Sequence, residues 1–307
     1  MSEIIFSVLV LTYNQEKTIK KTLDSIVGQK TNYRYEIIIA DDGSIDSTRK
    51  IIDEYANNYP ELIISIYNKT NLGVVKNYYN ALSYTRGRYI MVCAGDDWWL
   101  PAKSEHQICY MEQHPEVGMV YGKVKHYLEK DKKIVPCQEC NYKDSFEELI
   151  YENHIAALST CIRKDVMMKY IDDVKPVEKG WLMEDYPICL WFSYNSKIHC
   201  LNEYVAVYRV AEGSISHPKN QDKLINFEDS VYDIRCFFMK KYNYYNEDIK
   251  RLHYIRKKYI YVSFNNKKMY RVMLKKLKEK KIKIILSYIP LYTRMLNLKA
   301  QLKNKNS

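Results

Sequence analysis

Residues 35–68 read YEIIIADDGSIDSTRKIIDEYANNYPELIISIYN and contain one complete strand–helix–strand unit. YEIIIA and LIISIYN are short, continuous apolar runs, which are typical of strands covered on both faces. Between them Ile51, Ile52 and Tyr55 recur at helical spacing and predict a helix with one buried side. Strands joined by such a helix pair in parallel, so this stretch predicts the beginning of a parallel sheet.

The same alternation continues on both sides of this unit. IIFSVLVLT and GRYIMVCA predict two more strands, and QEKTIKKTLDSIVGQ and VVKNYYNALSYTRG predict the helices that connect them. The first 125 residues therefore predict an α/β fold with a doubly wound, mostly parallel sheet. Farther on we expect a hairpin in VGMVYGKVKHYL and KIVPC, a strand and helix in AALSTCIRKDVM, a buried helix from about Glu184, and two short strands in KIHCLNEYVAVYRV.

Polar side chains follow three of the predicted strands. The three groups are Thr12, Tyr13 and Asn14 after the first strand, Asp41 and Asp42 after the second, and Asp96 and Asp97 after the fourth. Ligands of doubly wound sheets bind beyond the carboxyl ends of the strands, so these groups are expected to share one crevice. Each acidic pair alone also fits a turn before a helix. Four carboxylates in one crevice repel each other unless a cation is present.

A divalent metal ion is the cation that fits this arrangement. Mg²⁺ or Mn²⁺ takes one or two carboxylates and completes its shell with phosphates and water. Such a metal neutralises a diphosphate as the bond to it breaks. Asp41 or Asp42 would suit hydrogen bonds to a base or ribose, and Tyr13 would suit stacking on the base. The sequence has no Gly-x-Gly-x-x-Gly and no P-loop motif, which argues against those nucleotide-binding classes.

Five stretches, in order over residues 5–217, resemble family 2 glycosyltransferases. They are SVLVLTYNQEKTIKKTLDSIVGQ, YEIIIADDGSIDST, NLGVVKNYYNALSYTRGRYIMVCAGDDWWLPAKSEHQ, WLMEDYPICLWF and YRVAEGSISH. The resemblance implies a GT-A fold, which is a Rossmann-like, doubly wound α/β fold. It also implies inverting transfer of a sugar from a nucleotide diphosphate donor, a UDP-sugar foremost, to a hydroxyl of a saccharide or lipid-linked saccharide in bacterial surface polysaccharide synthesis.

The resemblance also implies roles for matching positions. Asp97 would be the main metal ligand, with Asp96 contacting the metal or the ribose. Asp41 and Asp42 would contact uracil or ribose within a nucleotide site that includes Thr12, Tyr13 and Asn14. Lys76, or its neighbour Asn77, would lie near the diphosphate. Asp185 would be the general base.

Three further points concern the acidic pair and the tryptophans. Many relatives carry an acid two residues before the acidic pair, where this chain has Ala94. The resemblance allows Trp98, Trp99 and Trp181 as sugar platforms, although core packing fits them equally well. We expect the loop that carries Asp97 to face solvent in the absence of ligand.

Charge divides the chain into two regions. From Lys250 to the end there are 18 Lys and Arg residues and one acidic residue, a net charge of +17, whereas residues 1–249 carry 30 basic and 36 acidic residues, a net charge of −6. We therefore expect a catalytic domain over 1–217 and a helical, basic extension over 218–307. A basic amphipathic helix from Lys267, followed by a short apolar stretch, suits the surface of an anionic membrane. The alternative is a helix packed on the catalytic domain with a solvated Lys face.

Two other functions deserve comparison with sugar transfer. A nucleotidyltransferase would also use paired acids on such a sheet, but the Gly-rich loop that would bind a triphosphate is absent. A nucleic-acid-binding protein is suggested by the basic tail, but the net negative charge of residues 1–249 argues against it.

The N-terminus has no basic segment before its apolar run, which argues against a signal peptide. We therefore expect a cytoplasmic enzyme, associated with the inner face of the cytoplasmic membrane through its tail.

Overall fold

The computed structural model describes residues 3–137, 144–211 and 220–277. The strands in these ranges are β1 (Phe6–Thr12), β2 (Tyr35–Asp41), β3 (Ile63–Tyr67), β4 (Tyr89–Ala94), β5 (Trp98–Trp99), β6 (Val117–Leu128), β7 (Lys133–Pro136), β8 (Thr160–Arg163) and β9 (Lys197–Val210). The α-helices are α1 (Ile19–Val27), α2 (Thr48–Asn58), α3 (Val74–Leu82), α4 (Lys103–Gln113), α5 (Phe146–Leu149), α6 (Lys164–Val174), α7 (Asp185–Asn195), α8 (Gln221–Lys241), α9 (Glu247–Ser263) and α10 (Lys267–Lys276). Short 3₁₀ turns lie at Ala157–Ser159 and Pro176–Glu178.

The chain divides into two compact units. Unit 1 comprises residues 1–149 and 153–210, and unit 2 comprises residues 150–152 and 211–307. Unit 1 contains the sheet, and the described part of unit 2 is helical.

The sheet has the strand order β3-β2-β1-β4-β8-β6-β9-β5, and β7 pairs with β6 beside this path. The four strands from β3 to β4 are parallel, as predicted. β8 is antiparallel to both of its neighbours, whereas β6 and β9 are parallel. Only residues 95–97 separate β4 from β5, although β5 pairs at the far end of the strand order, so the sheet must curl strongly. The α/β fold predicted from the sequence is confirmed.

Register explains why the polar strand ends meet. Thr12 of β1 lies opposite Asp41 of β2, and Leu11 lies opposite Ala94 of β4. All seven residues of β1 are buried, because helices cover both faces of the sheet at this point. The ends of β1, β2 and β4 therefore lie side by side at one edge.

The stretch KIHCLNEYVAVYRV differs from its prediction. It forms the single 14-residue strand β9 rather than two short strands. The polar pair Asn202 and Glu203, which suggests a turn, lies at an irregularity: Leu201 pairs with Gly122 and Tyr204 with Lys123, the next residue of β6. The extra residues bulge out, and parallel pairing resumes beyond them.

Unit 2 is a helical extension, as predicted, with α9 packed between α8 and α10. A buried ionic cluster lies within it, since the Glu228 carboxylate faces Arg235, His253 and Arg256 at 3.7 to 4.0 Å. Arg235 also donates to the Tyr151 carbonyl (2.6 Å). Within the described ranges, no helix combines the length and apolar character that crossing a bilayer requires.

Candidate active site

The turn between β4 and β5 is anchored on one side by the start of α1. The Thr18 hydroxyl donates to the Gly95 carbonyl (2.9 Å), and the Thr22 hydroxyl donates to the Asp97 carbonyl (2.6 Å). Both threonines lie on the same side of the helix, because they are four residues apart. The backbone of the acidic turn is therefore fixed by side chains that precede it by more than 70 residues.

The other side of the turn is anchored by Arg209 of β9. Its backbone N–H donates to Asp97 Oδ1 (2.7 Å), and its Nε donates to the Asp96 carbonyl (2.9 Å). Its guanidinium also pairs with Glu129 Oε1 at 3.2 Å. Asp97 is only 3% exposed, so the expectation that its loop faces solvent is wrong. The reason is that β9 closes over the turn and uses one carboxylate oxygen to fix its own backbone.

The side chains of Gln15 and Thr12 pack closely against Gly95 of the turn. A Cβ at Gly95 would collide with Gln15 Oε1 and would approach Thr12 Oγ1 to 2.9 Å. Neither of these buried oxygens has a hydrogen-bond partner among the described residues. The Gln15 side chain also forms a hydrogen bond that lowers the pKa of Asp96. Gln15 therefore lies close to the backbone of this turn and lowers the pKa of Asp96 against the larger, raising effect of burial.

The electrostatics of the pair are unfavourable for two negative charges. Burial raises the pKa of Asp96, and it raises the pKa of Asp97 well above its usual range, with the Asp96 charge adding to that shift. The positive charge of Arg209 acts in the opposite direction on both. The upward effects dominate, so a further cation at the pair would favour the doubly ionised form.

The chemistry of these residues fits a hard divalent cation. Within the described ranges, no group of three or more His, Cys, Asp or Glu side chains is arranged to hold a metal. Mg²⁺ and Mn²⁺ do not need such a group when one or two carboxylates are supplemented by substrate phosphates and water. The carboxylate of Asp96 and the second carboxylate oxygen of Asp97 are the oxygen atoms of this turn that could bind such a cation.

The two acids at the end of β2 have different surroundings. Asp41 is fully buried; its Oδ2 accepts from Arg49 (2.6 Å) and from the Ser44 N–H (3.1 Å), while its Oδ1 has no partner among the described residues. Asp42 accepts from the backbone N–H groups of Leu72 (2.8 Å) and Gly73 (2.9 Å). Asp42 therefore holds the loop before α3, and Asp41 lies deeper, under the strand end.

The residues at the end of β1 and directly after it differ in exposure. The Thr12 side chain is buried, whereas Tyr13 is 45% exposed. Asn14 has a φ of 51°, a left-handed conformation that asparagine tolerates. Its N–H donates to Ser44 Oγ (2.8 Å) and its side-chain oxygen accepts from the Ile45 N–H (2.9 Å), which joins the loops after β1 and β2. Of the three, only Tyr13 offers a ring face to a ligand.

Lys76 and Asn77, in the first turn of α3, differ in exposure. Lys76 is exposed. Asn77 is buried, donates to the Ala40 carbonyl of β2 (3.0 Å) and accepts from Asn68 (2.8 Å). Asn77 is therefore a structural link, and Lys76 is the residue of the two that can reach a diphosphate.

Asp185 is the first residue of α7, as predicted, and is partly exposed. Its Oδ1 accepts from the Tyr186 N–H (2.7 Å). Burial raises its pKa, and burial together with the Asp185 charge raises the pKa of Glu184 to about 8. A carboxylate with a raised pKa accepts a proton more readily at neutral pH, which suits a general base.

Three tryptophans near these elements are buried: Trp98, Trp99 and Trp181. Their burial favours core packing over a role as open sugar platforms. Trp99 belongs to the main apolar core of unit 1.

Arg209 and Gln15 are the residues that the sequence analysis did not assign. Arg209 lies within the stretch YRVAEGSISH, for which the family resemblance implies no role of the arginine. Residues 212–217 of that stretch lie outside the described residues.

Comparison with known proteins identifies the family. The family model "Glycosyl transferase family 2" matches residues 7–168, more than half of the chain. The chain belongs to this family. An uncharacterised protein of Mycobacterium tuberculosis is 33% identical over 221 residues, which are 71% of this chain and 62% of that protein. The Escherichia coli UDP-Glc:alpha-D-GlcNAc-diphosphoundecaprenol beta-1,3-glucosyltransferase WfaP is 31% identical over 222 residues, which are 70% of this chain and 81% of WfaP.

Solved structures share the fold of this family member at low sequence identity. S. aureus TarS 1-349, solved with UDP-GlcNAc, has a TM-score of 0.58 at 17% identity, over 95% of this chain and 83% of TarS 1-349. The mannosyltransferase PcManGT from Pyrobaculum calidifontis, solved with GDP-Man and Mn²⁺, has a TM-score of 0.58 at 13% identity, over 99% of this chain and 88% of PcManGT. At these identities the similarity concerns the fold alone, and it agrees with the predicted GT-A architecture.

Proposed function

We propose that this protein is an inverting glycosyltransferase that moves a sugar from a nucleotide diphosphate donor, a UDP-sugar foremost, to a hydroxyl of a saccharide or lipid-linked saccharide. The observation that carries the proposal is the adjacent pair of a partly buried Asp96 and a buried Asp97 at the end of β4, beside the ends of β1 and β2. Family membership and the name of WfaP, which contains both a UDP-sugar and a lipid diphosphate, support this substrate class. We assign the catalytic domain to residues 1–217 and the extension to 218–307.

The nucleotide would lie across the ends of β1 and β2. Tyr13 would stack on the base with its exposed ring, and Asp42 would meet the base or ribose beside the loop that it holds. Thr12, Asn14 and Asp41 complete the frame of this site, and Lys76 would reach the diphosphate from α3. Asp96 and Asp97 would hold Mg²⁺ or Mn²⁺, which when bound neutralises the charge of the departing diphosphate.

The transfer step requires one base on the acceptor side. Asp185 would accept the proton of the acceptor hydroxyl, and the acceptor oxygen would then form the bond to the anomeric carbon. The bond between that carbon and the diphosphate oxygen breaks with its electron pair, so a nucleoside diphosphate leaves. A single displacement of this kind inverts the anomeric configuration.

The direct test is thermal-shift screening of the full chain with nucleoside diphosphates and sugar nucleotides, with and without Mn²⁺. We expect stabilisation by UDP or a UDP-sugar that increases with Mn²⁺, because a ligand that binds only the folded state raises its stability. A chain that no nucleotide stabilises, with or without Mn²⁺, would contradict the proposal.

We also propose that unit 2 attaches the enzyme to an anionic membrane surface on the cytoplasmic side. Met273 of α10 is buried and α10 packs on α9, so its apolar side is already occupied. Lys267, Lys268, Arg271 and Lys275 are exposed. Their spacing places them on one side of the helix, and each cation near such a surface contributes on the order of 1 kcal/mol. The apolar stretch expected after residue 281 lies outside the described residues.

Co-sedimentation with vesicles tests this attachment in the full chain. We expect binding to anionic but not to neutral vesicles, weakened by salt, and a large loss when Lys267, Lys268, Arg271 and Lys275, four of the five cations of α10, are changed to Gln. The matched control changes four exposed lysines of unit 1 to Gln: Lys30, Lys50, Lys69 and Lys169. Equal losses in both variants would mean that net charge, and not α10, causes the binding.

A further inference from the structure

Two cationic side chains of unit 1 share one pair of aromatic rings. Lys21 Nζ of α1 lies 3.3 Å from the centre of the Trp98 ring and 5.6 Å from that of Tyr127. The Arg209 guanidinium of β9 lies 5.6 Å and 5.0 Å from the same two ring centres. The rings themselves meet edge to face, with their centres 5.5 Å apart. Cation–π contacts of this kind hold both positive groups in place.

The positive charge of Arg209 is compensated by Glu129 and also acts on Asp96 and Asp97, so the uncompensated charge of this cluster is that of Lys21. Arg209 pairs with Glu129, but Lys21 forms no ion pair among the described residues. Its pKa is lowered, first by burial and then by the charge of Arg209. Two like charges held together in this way are stabilised when an anion binds between them.

The cluster lies against the candidate active site, because Arg209 also donates to the Asp96 carbonyl. We propose that Lys21 and Arg209 form an anion subsite that takes a phosphate group of a substrate, an inference that rests on the proposed function for the identity of that substrate. The phosphate belongs either to the donor diphosphate or to a phosphorylated, lipid-linked acceptor. Lysine contributes a point charge with three donors, and arginine a planar set of donors, a combination suited to phosphate oxygens.

Lys21→Met is the informative variant, and Lys20→Met is its matched control. Lys20 is the neighbouring residue on α1, and its contacts are Asp24 and Tyr55. Both variants remove one positive charge from the same helix. Arg209 is left unchanged, because it also holds the turn that carries Asp96 and Asp97.

The first measurement is titration calorimetry of the full chain with inorganic diphosphate at low salt, without metal. We expect Lys21→Met to weaken binding about tenfold, as for the loss of one charged hydrogen-bond donor, and Lys21→Arg to restore it. Lys20→Met should bind as the unchanged chain does. Equal affinities in Lys21→Met and Lys20→Met would overturn the subsite.

Two further arms identify the source of the phosphate. If it is the donor, Lys21→Met weakens binding of UDP and leaves that of uridine unchanged. If it is the acceptor, UDP affinity is unchanged, and the KM rises only for a phosphorylated acceptor and not for the same saccharide without phosphate. The wild-type protein separates the failure of this subsite from the failure of the proposed function. If it transfers no sugar, the proposed function fails. A diphosphate affinity that depends on Lys21 would still support the subsite in that case.

Discussion

Lys103, at the start of α4, should make the stability of unit 1 depend on pH. The side chain is 1% exposed, donates to the Thr160 carbonyl (3.1 Å) and to Gln107 Oε1, and lies 4.5 Å from the centre of the Trp99 ring. No carboxylate is among these contacts. Burial accordingly lowers the pKa of Lys103 from 10.5 to about 7.

The sign and size of the effect follow from proton linkage. Between pH 7 and 10.5 this lysine is protonated in the unfolded chain and largely deprotonated in the folded chain. The free energy of unfolding therefore rises with pH across this window and falls as the pH drops toward 7. With half of the folded amine protonated at pH 7, the gain from pH 7 to pH 9 is about 2 kcal/mol. The nearby thiols of Cys93 and Cys161 have pKa values raised by burial and keep their protons in this range.

Lys103→Met removes the titrating group and retains most of its volume. It also leaves the Thr160 carbonyl and Gln107 without their donor, at a cost of about 1–3 kcal/mol for each unsatisfied group, and this cost does not vary with pH. The variant should therefore be close to the unchanged chain in stability at pH 7 and should fall behind it by about 2 kcal/mol more at pH 9.

Urea unfolding at pH 7, 8 and 9, followed by tryptophan fluorescence, measures this difference. All four tryptophans lie in unit 1, so the signal reports that unit. Lys30→Met is the control, because Lys30 is exposed and the substitution should not alter the pH dependence. If the unchanged chain and Lys103→Met show parallel stability curves, the amine is not desolvated and the reasoning is refuted.

Two further predictions concern the candidate active site. Asp97→Asn keeps an oxygen that can accept from the Arg209 N–H, so the unliganded variant should melt near the wild-type temperature. The part of the UDP-induced thermal shift that depends on Mn²⁺ should disappear. An unchanged metal dependence would mean that Asp97 is misassigned. Asp185→Asn should retain donor affinity and lose sugar transfer by about 10²–10⁴-fold, the usual range for a general base. In the unchanged chain the acid limb of the pH profile of kcat/KM should lie above the ordinary range of an aspartate, because burial raises the pKa of Asp185; full transfer by Asp185→Asn would exclude it as the base.

The elements of the parallel half were predictable because their signals are local. A continuous apolar run predicts a buried strand, and apolar residues with a period of 3.6 predict a helix. Parallel pairing of the strands then brings Thr12, Asp41 and Ala94 to one edge of the sheet. β9 was predicted less well, because Asn202 and Glu203 look like a turn when the strand is considered alone. Pairing with β6 overrides that local preference, and it comes from residues about 80 positions earlier in the chain.

The interior of the candidate site could not be predicted for a related reason. The hydrogen bond between Arg209 and Asp97 joins residues 112 positions apart, and nothing in either stretch indicates the other. Lys103 looks like an ordinary polar residue in a helix after Pro101. Its burial follows from the curl of the sheet, which brings Trp99 and Thr160 around it.

The two adjacent carboxylates of the β4–β5 turn can now be distinguished by what already neutralises them. Asp97 gives Oδ1 to the Arg209 backbone, so only its second oxygen is available to a metal. The Arg209 guanidinium contacts the Asp96 backbone carbonyl and Glu129, and its charge lowers the pKa of Asp96 against the larger, raising effect of burial. Burial raises the pKa of both carboxyls, and that of Asp97 the further, so a bound cation would relieve the charge of both, with Asp97 proposed as the main ligand through its second oxygen.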